Sequence, residues 1–254
     1  MSFSNYGELC TEVYDLTKKV GQSFGADIEY YTSRLKETGG RTLEAMVGSG
    51  RVIIPLLESG LHVDGMDYSA EMLASCQKRI DEKGLSANLY QSDLQKLDLS
   101  QKYNNIIIPG GSFLLIEKRE ESRQALEQMY ENLEDGGCLI LDIFLPTDNF
   151  EAGKVLRTLT VDCPNGDIIT MEDKLVEVNF FEQYKVSYLK YEKWRQGSLV
   201  QTELQRFAIR WYGIEELKLI LESVGFKNVS VSADFEYGKK PSHARQSFVF
   251  EATK

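Results

Sequence analysis

The sequence predicts an α/β fold: a doubly wound, mostly parallel, seven-stranded sheet with helices on both faces, plus an antiparallel β insert. Three observations carry that expectation. Short apolar runs alternate with helical periods between about residues 42 and 145. Those runs are almost unbroken, as in strands buried on both faces. From about residue 154 to residue 210 the text becomes strand-like, rich in β-branched and aromatic residues, with turn signals at Pro164-Asn165-Gly166 and Gly197-Ser198.

The elements follow in order. Tyr6, Leu9, Val13 and Tyr14 recur at helical spacing, and Gly21 and Gly25 break the pattern. Asp27 is a candidate N-cap for a second helix carrying Ile28, Tyr31 and Leu35, which Gly39-Gly40 ends. A strand over 42–46 leads through a Gly-x-Gly turn into a helix with Val52, Ile53, Leu56 and Leu57. Pro55 falls near that helix's first turn, where a missing N–H costs least. Strand 61–66 precedes a helix burying Met72, Leu73, Cys76 and Ile80, closed by Gly84. Residues 87–91 and 105–109 read as the third and fourth strands. A helix with Leu126, Met129, Tyr130 and Leu133 ends before Gly136-Gly137, and 138–145 form a fifth strand interrupted only by Asp142. After the insert of three or four strands, helical period returns with Ile214, Leu217, Ile220, Leu221 and Val224, stopped by Gly225. Residues 226–234 and 246–252 complete the sheet.

Composition removes several function classes. With 42% apolar and 27% charged residues, the 254-residue chain reads as a water-soluble globular protein. A net charge of −10 opposes sequence-independent binding to nucleic acid or anionic membrane and leaves a small-molecule pocket open. No basic, apolar leader and no apolar run of transmembrane length is evident, so a cytoplasmic location is expected. Cys10, Cys76, Cys138 and Cys163 form no Cys-x-x-Cys pair and are expected to be reduced thiols that pack. Two histidines, His62 and His243, give little material for a metal site or a hydrolase triad, and no metal is expected.

The informative stretch is Leu43-Glu44-Ala45-Met46-Val47-Gly48-Ser49-Gly50-Arg51: an acid at a strand end, a turn with two glycines, then a helix. Glycines belong there when a ligand must lie directly on the backbone. Asp67 ends the second strand, 17 residues past Gly50, where a carboxylate accepts from both hydroxyls of a ribose. A dinucleotide fingerprint would need Gly or Ala at position 53, which is Ile53, and Glu44 would oppose a diphosphate. An acid there suits a ligand bearing an ammonium and a sulfonium, as S-adenosylmethionine does.

With these residues the chain resembles the class I S-adenosylmethionine-dependent methyltransferases of small-molecule type, over about residues 42–145. The family's first motif reads acid-x-Gly-x-Gly-x-Gly; this chain keeps Glu44, Gly48 and Gly50 and carries Met46 at the first glycine position. The resemblance implies that Asp67 binds ribose and that Tyr68 and Met72 pack around adenine. It implies that Asp93, with Leu94 beside it, accepts from the adenine amine. It also implies that the Pro109-Gly110-Gly111-Ser112-Phe113 loop faces the methionine end and the substrate. Tyr14-Asp15 is similar to the Tyr-Asp pair of the family's N-terminal lid helix, which makes Tyr14 the candidate catalytic residue.

The implied organisation is lid helices over 1–40, a cofactor-binding core over 41–153, a substrate-lid insert over 154–210 and completion of the sheet over 211–254. The implied activity is methyl transfer to a small-molecule N or O nucleophile, mainly by positioning. A degenerate S-adenosylmethionine-binding protein and a nucleotide-dependent oxidoreductase are the alternatives. Tyr31 and Arg34 are further candidates for the methionine carboxylate, and His243 for a base. His62, Trp194 and Trp211 read as structural, and residues 117–121 as a solvated helix start.

Overall fold

The computed structural model describes residues 3, 6–97, 99, 101–147 and 150–254. Helices α1 (Glu8–Thr17) and α2 (Asp27–Thr38) precede strand β1 (Arg41–Ala45). The core continues as α3 (Ile53–Glu58), β2 (His62–Asp67), α4 (Ala70–Glu82), β3 (Leu89–Gln91), β4 (Tyr103–Ile108), α5 (Arg119–Asn132) and β5 (Leu133–Phe144). Four strands follow: β6 (Val155–Asp162), β7 (Ile168–Asn179), β8 (Tyr184–Arg195) and β9 (Ser198–Arg210). Helix α6 (Ile214–Val224) and strands β10 (Lys227–Ala233) and β11 (Ser247–Thr253) close the chain.

The main sheet runs β10-β11-β5-β4-β1-β2-β3. Strands β1 to β5 pair in parallel, and β11 inserts antiparallel between β5 and β10. This is the expected fold class. The continuous apolar runs arise because helices cover both faces: Leu43, Ile106, Ile107, Ile108, Ile140 and Leu141 are all fully buried. The order reverses between β1 and β4, and a doubly wound sheet opens a crevice at the carboxyl ends beside such a switch.

Helix α4 shows how the sequence sets local structure. The Ser69 hydroxyl caps it by accepting from Met72 N–H at 3.1 Å, and Met72, Leu73, Cys76 and Ile80 turn one face inward. Helix α2 starts differently from expectation. Asp27 is its first residue rather than its cap, and its buried carboxylate accepts from Phe24 N–H (2.8 Å) and pairs with Arg51 (2.7 Å).

The four remaining strands form a separate antiparallel sheet, β6-β7-β8-β9. Its inner face packs on α1 through Leu9, Cys10, Val13, Ile169, Met171, Leu189 and Tyr191, with Met72 of α4 behind. Polar ties fix α1 to both neighbours. Glu203 of β9 accepts from Leu9 N–H, Lys193 of β8 pairs with Glu12, and Arg79 of α4 pairs with Asp15. All four cysteines are free and buried, as expected of packing thiols. Trp211 stacks edge-on with Phe150 and Phe180, and Trp194 donates to Thr170. The run at 117–121 is not wholly solvated, because Glu117 is bound by Arg206 of β9.

Candidate functional site

Two adjoining cavities occupy the switch-point crevice. The first, about 560 Å³, is walled by the carboxyl ends of β1, β2 and β3: Met46, Gly48, Asp67, Tyr68, Ser92, Asp93 and Leu94, with Met72 from α4. The second, about 470 Å³, lies between the loop after β4, helix α1 and the inner face of the antiparallel sheet. Tyr6, Tyr14, Ser112 and Leu115 line both.

The turn after β1 is built by backbone conformation. Met46, Gly48 and Gly50 all have left-handed φ, of 59°, 56° and 91°. Met46 therefore adopts the geometry that glycine adopts without strain, and its side chain enters the first cavity. The two glycines serve different ends. A Cβ on Gly48 would meet nothing within 4 Å, so the backbone there is open to the cavity. A Cβ on Gly50 would stand 2.9 Å from Cys76 Sγ and 3.0 Å from Ile54 Cδ1, and Gly50 does not line either cavity. Its place is close packing of α3 on α4 rather than contact with a ligand. Gly50→Ala is therefore expected to lower stability by about 1–3 kcal/mol through overpacking, read by thermal melting. Gly48→Ala is expected to cost about 1–2 kcal/mol of backbone strain and, unlike Gly50→Ala, to weaken cofactor binding directly, read by calorimetry.

Asp67 closes the same turn. Its Oδ2 accepts from Gly48 N–H at 2.8 Å and its Oδ1 from Ser69 N–H at 2.9 Å. Burial raises its carboxyl above the ordinary range, against those backbone bonds. Tyr68 is 61% exposed at the cavity rim, whereas Met72 and Leu94 are buried in its wall. Asp93 caps a short 3-10 turn by accepting from Gln95 N–H. Glu44 is 2% exposed, has Oε2 unpartnered and lines neither cavity. Burial pushes its carboxyl well up, and the nearby Arg51 charge only partly offsets this.

Pro109 is buried and lines neither cavity; Gly110, Gly111 and Ser112 after it do. That loop is held by Asp142, the one acid in the fifth apolar run. Gly110 and Gly111 N–H donate to its two oxygens at 2.9 and 2.8 Å, and the Tyr31 hydroxyl donates at 2.6 Å. Burial is the largest influence and moves the Asp142 carboxyl from 3.8 up to about 6. The native state then holds this proton more tightly than the unfolded chain does. The resulting stabilisation, about 3 kcal/mol, is complete below pH 3.8 and is lost as pH rises through about 6. Carbon-13 NMR is expected to show this carboxyl titrating near pH 6, and a midpoint near the ordinary aspartate value would contradict the assignment.

Three other candidates are corrected. Tyr31 is committed to Asp142, so it supports the loop from beneath. Arg34 is held by both oxygens of Glu251 on β11 and lines neither cavity. His243 is exposed and outside both. Tyr14 lines both cavities, and burial raises its phenol above the ordinary range. The sequence reading missed Tyr6 on the shared wall and missed Arg157, Asp173 and Gln205 on the sheet face of the second cavity. A period-2 reading of β7 to β9 would have placed the last two on the inner face with Met171, Leu175, Leu189 and Phe207.

The residues present fit S-adenosylmethionine. Open backbone stands at Gly48, an acid ends β2, and a buried carboxylate oxygen without a donor lies beneath the turn at Glu44. Comparison with known proteins agrees. Residues 42–137 match the model of a methyltransferase domain family. The glycine/sarcosine N-methyltransferase of Aphanothece halophytica is 26% identical over 211 residues, 82% of this chain and 74% of the relative. That of Halorhodospira halochloris is 34% identical over 117 residues, 45% of this chain and only 44% of the relative's length. Among solved structures, the sugar N-methyltransferase KedS8 from Streptoalloteichus sp ATCC 53650 aligns with a TM-score of 0.73 at 21% identity, over 98% of this chain and 96% of that one. That last likeness is one of fold. The domain match over residues 42–137, these methyltransferase relatives and this architecture together agree with the resemblance to the class I S-adenosylmethionine-dependent methyltransferases.

Proposed function

We propose that the protein transfers a methyl group from S-adenosylmethionine to the nitrogen of a small-molecule acceptor. The observation that carries this reading is the pair of adjoining cavities sharing the wall of Tyr6, Tyr14, Ser112 and Leu115. One cavity has the polar ends a nucleoside needs, and the other opens onto the antiparallel sheet. Nitrogen is favoured over oxygen by relatives named as glycine/sarcosine N-methyltransferases.

In this reading Asp67 holds the ribose, Tyr68, Met72 and Leu94 flank adenine, and Asp93 accepts from its amine. The open backbone at Gly48 and the Gly110-Gly111 loop face the rest of the cofactor, with Glu44 acting from beneath. Bound there, the cofactor supplies a methyl group already activated on a sulfonium. The protein's work is then to hold the nucleophile in line at about 3–3.5 Å and to keep water out. Tyr14 stands at the boundary between the cavities and orients the acceptor through its phenol, which burial keeps protonated. The segments 1–40 and 154–210 serve as the lid over the 41–153 core, with 211–254 completing its sheet.

The negative surface supports a free small molecule over nucleic acid as the acceptor. Among the described residues no helix is long and apolar enough to cross a membrane. Calorimetry with S-adenosylhomocysteine, followed by turnover with an amine panel, tests the reading. Binding with turnover is expected. No heat with the demethylated product would end it, and binding without turnover of any amine would favour a degenerate binding protein.

A further inference from the structure

Among the polar side chains of the second cavity, two hold a buried oxygen that has no hydrogen-bond partner among the described residues. Gln205 is 1% exposed and its Oε1 is buried without a partner; Asp173 Oδ1 is buried without one as well. They stand in one row across the antiparallel sheet, because Asp173 is in register with Leu189 and Leu189 with Gln205. Side chains alternate along a strand, so this row shares its face with Met171, Tyr191 and Phe207, which line the same cavity.

The cavity's own cations do not complete the pair. Arg157 lies opposite Asp173 across β6 and β7, but no ion pair joins them. Lys18, on the same cavity wall, is held below the ordinary lysine range by partial burial and then by the Arg157 and Arg51 charges. Neither cation forms an ion pair with the acid. A buried acceptor without a donor calls for one from outside the chain, and in an open cavity a ligand can bring it. Both oxygens accept, one belongs to a carboxylate, and Leu159, Met171, Leu189 and Phe207 give apolar wall beside them.

We propose that Asp173 and Gln205 bind the methyl acceptor and that the acceptor is a small primary or secondary amine. An amine, arriving in its ammonium form, supplies the N–H donors for both oxygens and the positive charge that pairs with Asp173. It gives up one proton to the Asp173 carboxylate before transfer, which leaves the nitrogen lone pair free to take the methyl as the cofactor departs as the neutral thioether. Its carbon skeleton rests on Leu159, Leu189 and Phe207. A neutral polyol satisfies the hydrogen bonds but not the charge. This assignment rests on methyl transfer at the adjoining cavity.

Ligand-detected NMR titrations test it, run with and without S-adenosylhomocysteine. The probes are glycine, sarcosine, ethanolamine and glucosamine, each beside its oxygen counterpart: glycolate, methoxyacetate, ethylene glycol and glucose. At least one amine is expected to bind at least tenfold more tightly than its counterpart. Asp173→Asn and Gln205→Leu are each expected to weaken that amine about tenfold, with S-adenosylhomocysteine affinity within threefold of wild type. Gln205→Glu, which keeps the shape and adds charge, is expected to tighten it, a result that a merely structural glutamine would not give. The proposal is overturned if no amine binds, if the counterparts bind equally well, or if the variants hold the amine as wild type does. Loss of S-adenosylhomocysteine binding with amine binding intact would instead sink the cofactor assignment.

Discussion

Asp67→Ala is expected to weaken S-adenosylhomocysteine binding by about 10- to 150-fold, read by calorimetry. The magnitude follows from losing charge-assisted hydrogen bonds worth roughly 1.5–3 kcal/mol. Two effects add in the same direction. In the proposed binding mode the ribose loses its acceptor, and Gly48 N–H loses the carboxylate that fixes the turn (2.8 Å). Asp67→Asn keeps the shape and one acceptor but not the charge, so a smaller loss, about tenfold, is expected. The fold should survive the loss of these two N–H acceptors, at a cost of about 1–3 kcal/mol, because Ser69 still caps α4. An alanine variant that binds within threefold of wild type would remove Asp67 from the site.

Arg51→Ala should produce the largest loss of stability, about 3–5 kcal/mol, because it strands the fully buried Asp27 carboxylate. In a chain of 254 residues that corresponds to a melting point lower by about 10 °C. Arg51 also donates to the Gln22 carbonyl (2.8 Å) and lies over the Phe24 ring, so the segment between α1 and α2 should loosen with it. The double variant Arg51→Met with Asp27→Leu removes both charges and should recover much of the loss. Thermal melting of the two variants beside wild type checks this. Equal melting points for the single and double variants would show that the pair is not what the arginine supports.

The core of the fold was legible because its signals are local. Buried strands read as apolar runs, Ser69 and Gly84 bound α4, and the helical period of Met72, Leu73, Cys76 and Ile80 marks the buried face. The first cavity was legible for the same reason: Gly48, Asp67, Asp93 and Leu94 each lie at a strand's carboxyl end. Residues whose roles depend on distant partners were not. Asp142 looked like a blemish in an apolar strand, yet it holds a loop through two N–H groups and a tyrosine from α2. Arg34 looked free, but its partner Glu251 lies 217 residues away in sequence. Asp173 and Gln205 share a row only through strand register, which residue patterns in one strand do not fix.

Helix α1 is a party wall. Tyr6, just before the helix, and Tyr14 within it line both cavities, and side-chain ties anchor the helix to α4 on one side and to β8 and β9 on the other. Neither ring can shift for one tenant without altering the room offered to the other. Linkage then requires symmetry: whatever factor the acceptor gains from a filled nucleoside chamber, the nucleoside gains from a filled acceptor chamber. Trimming Tyr14 to phenylalanine would therefore alter both occupants' affinities and the factor that connects them.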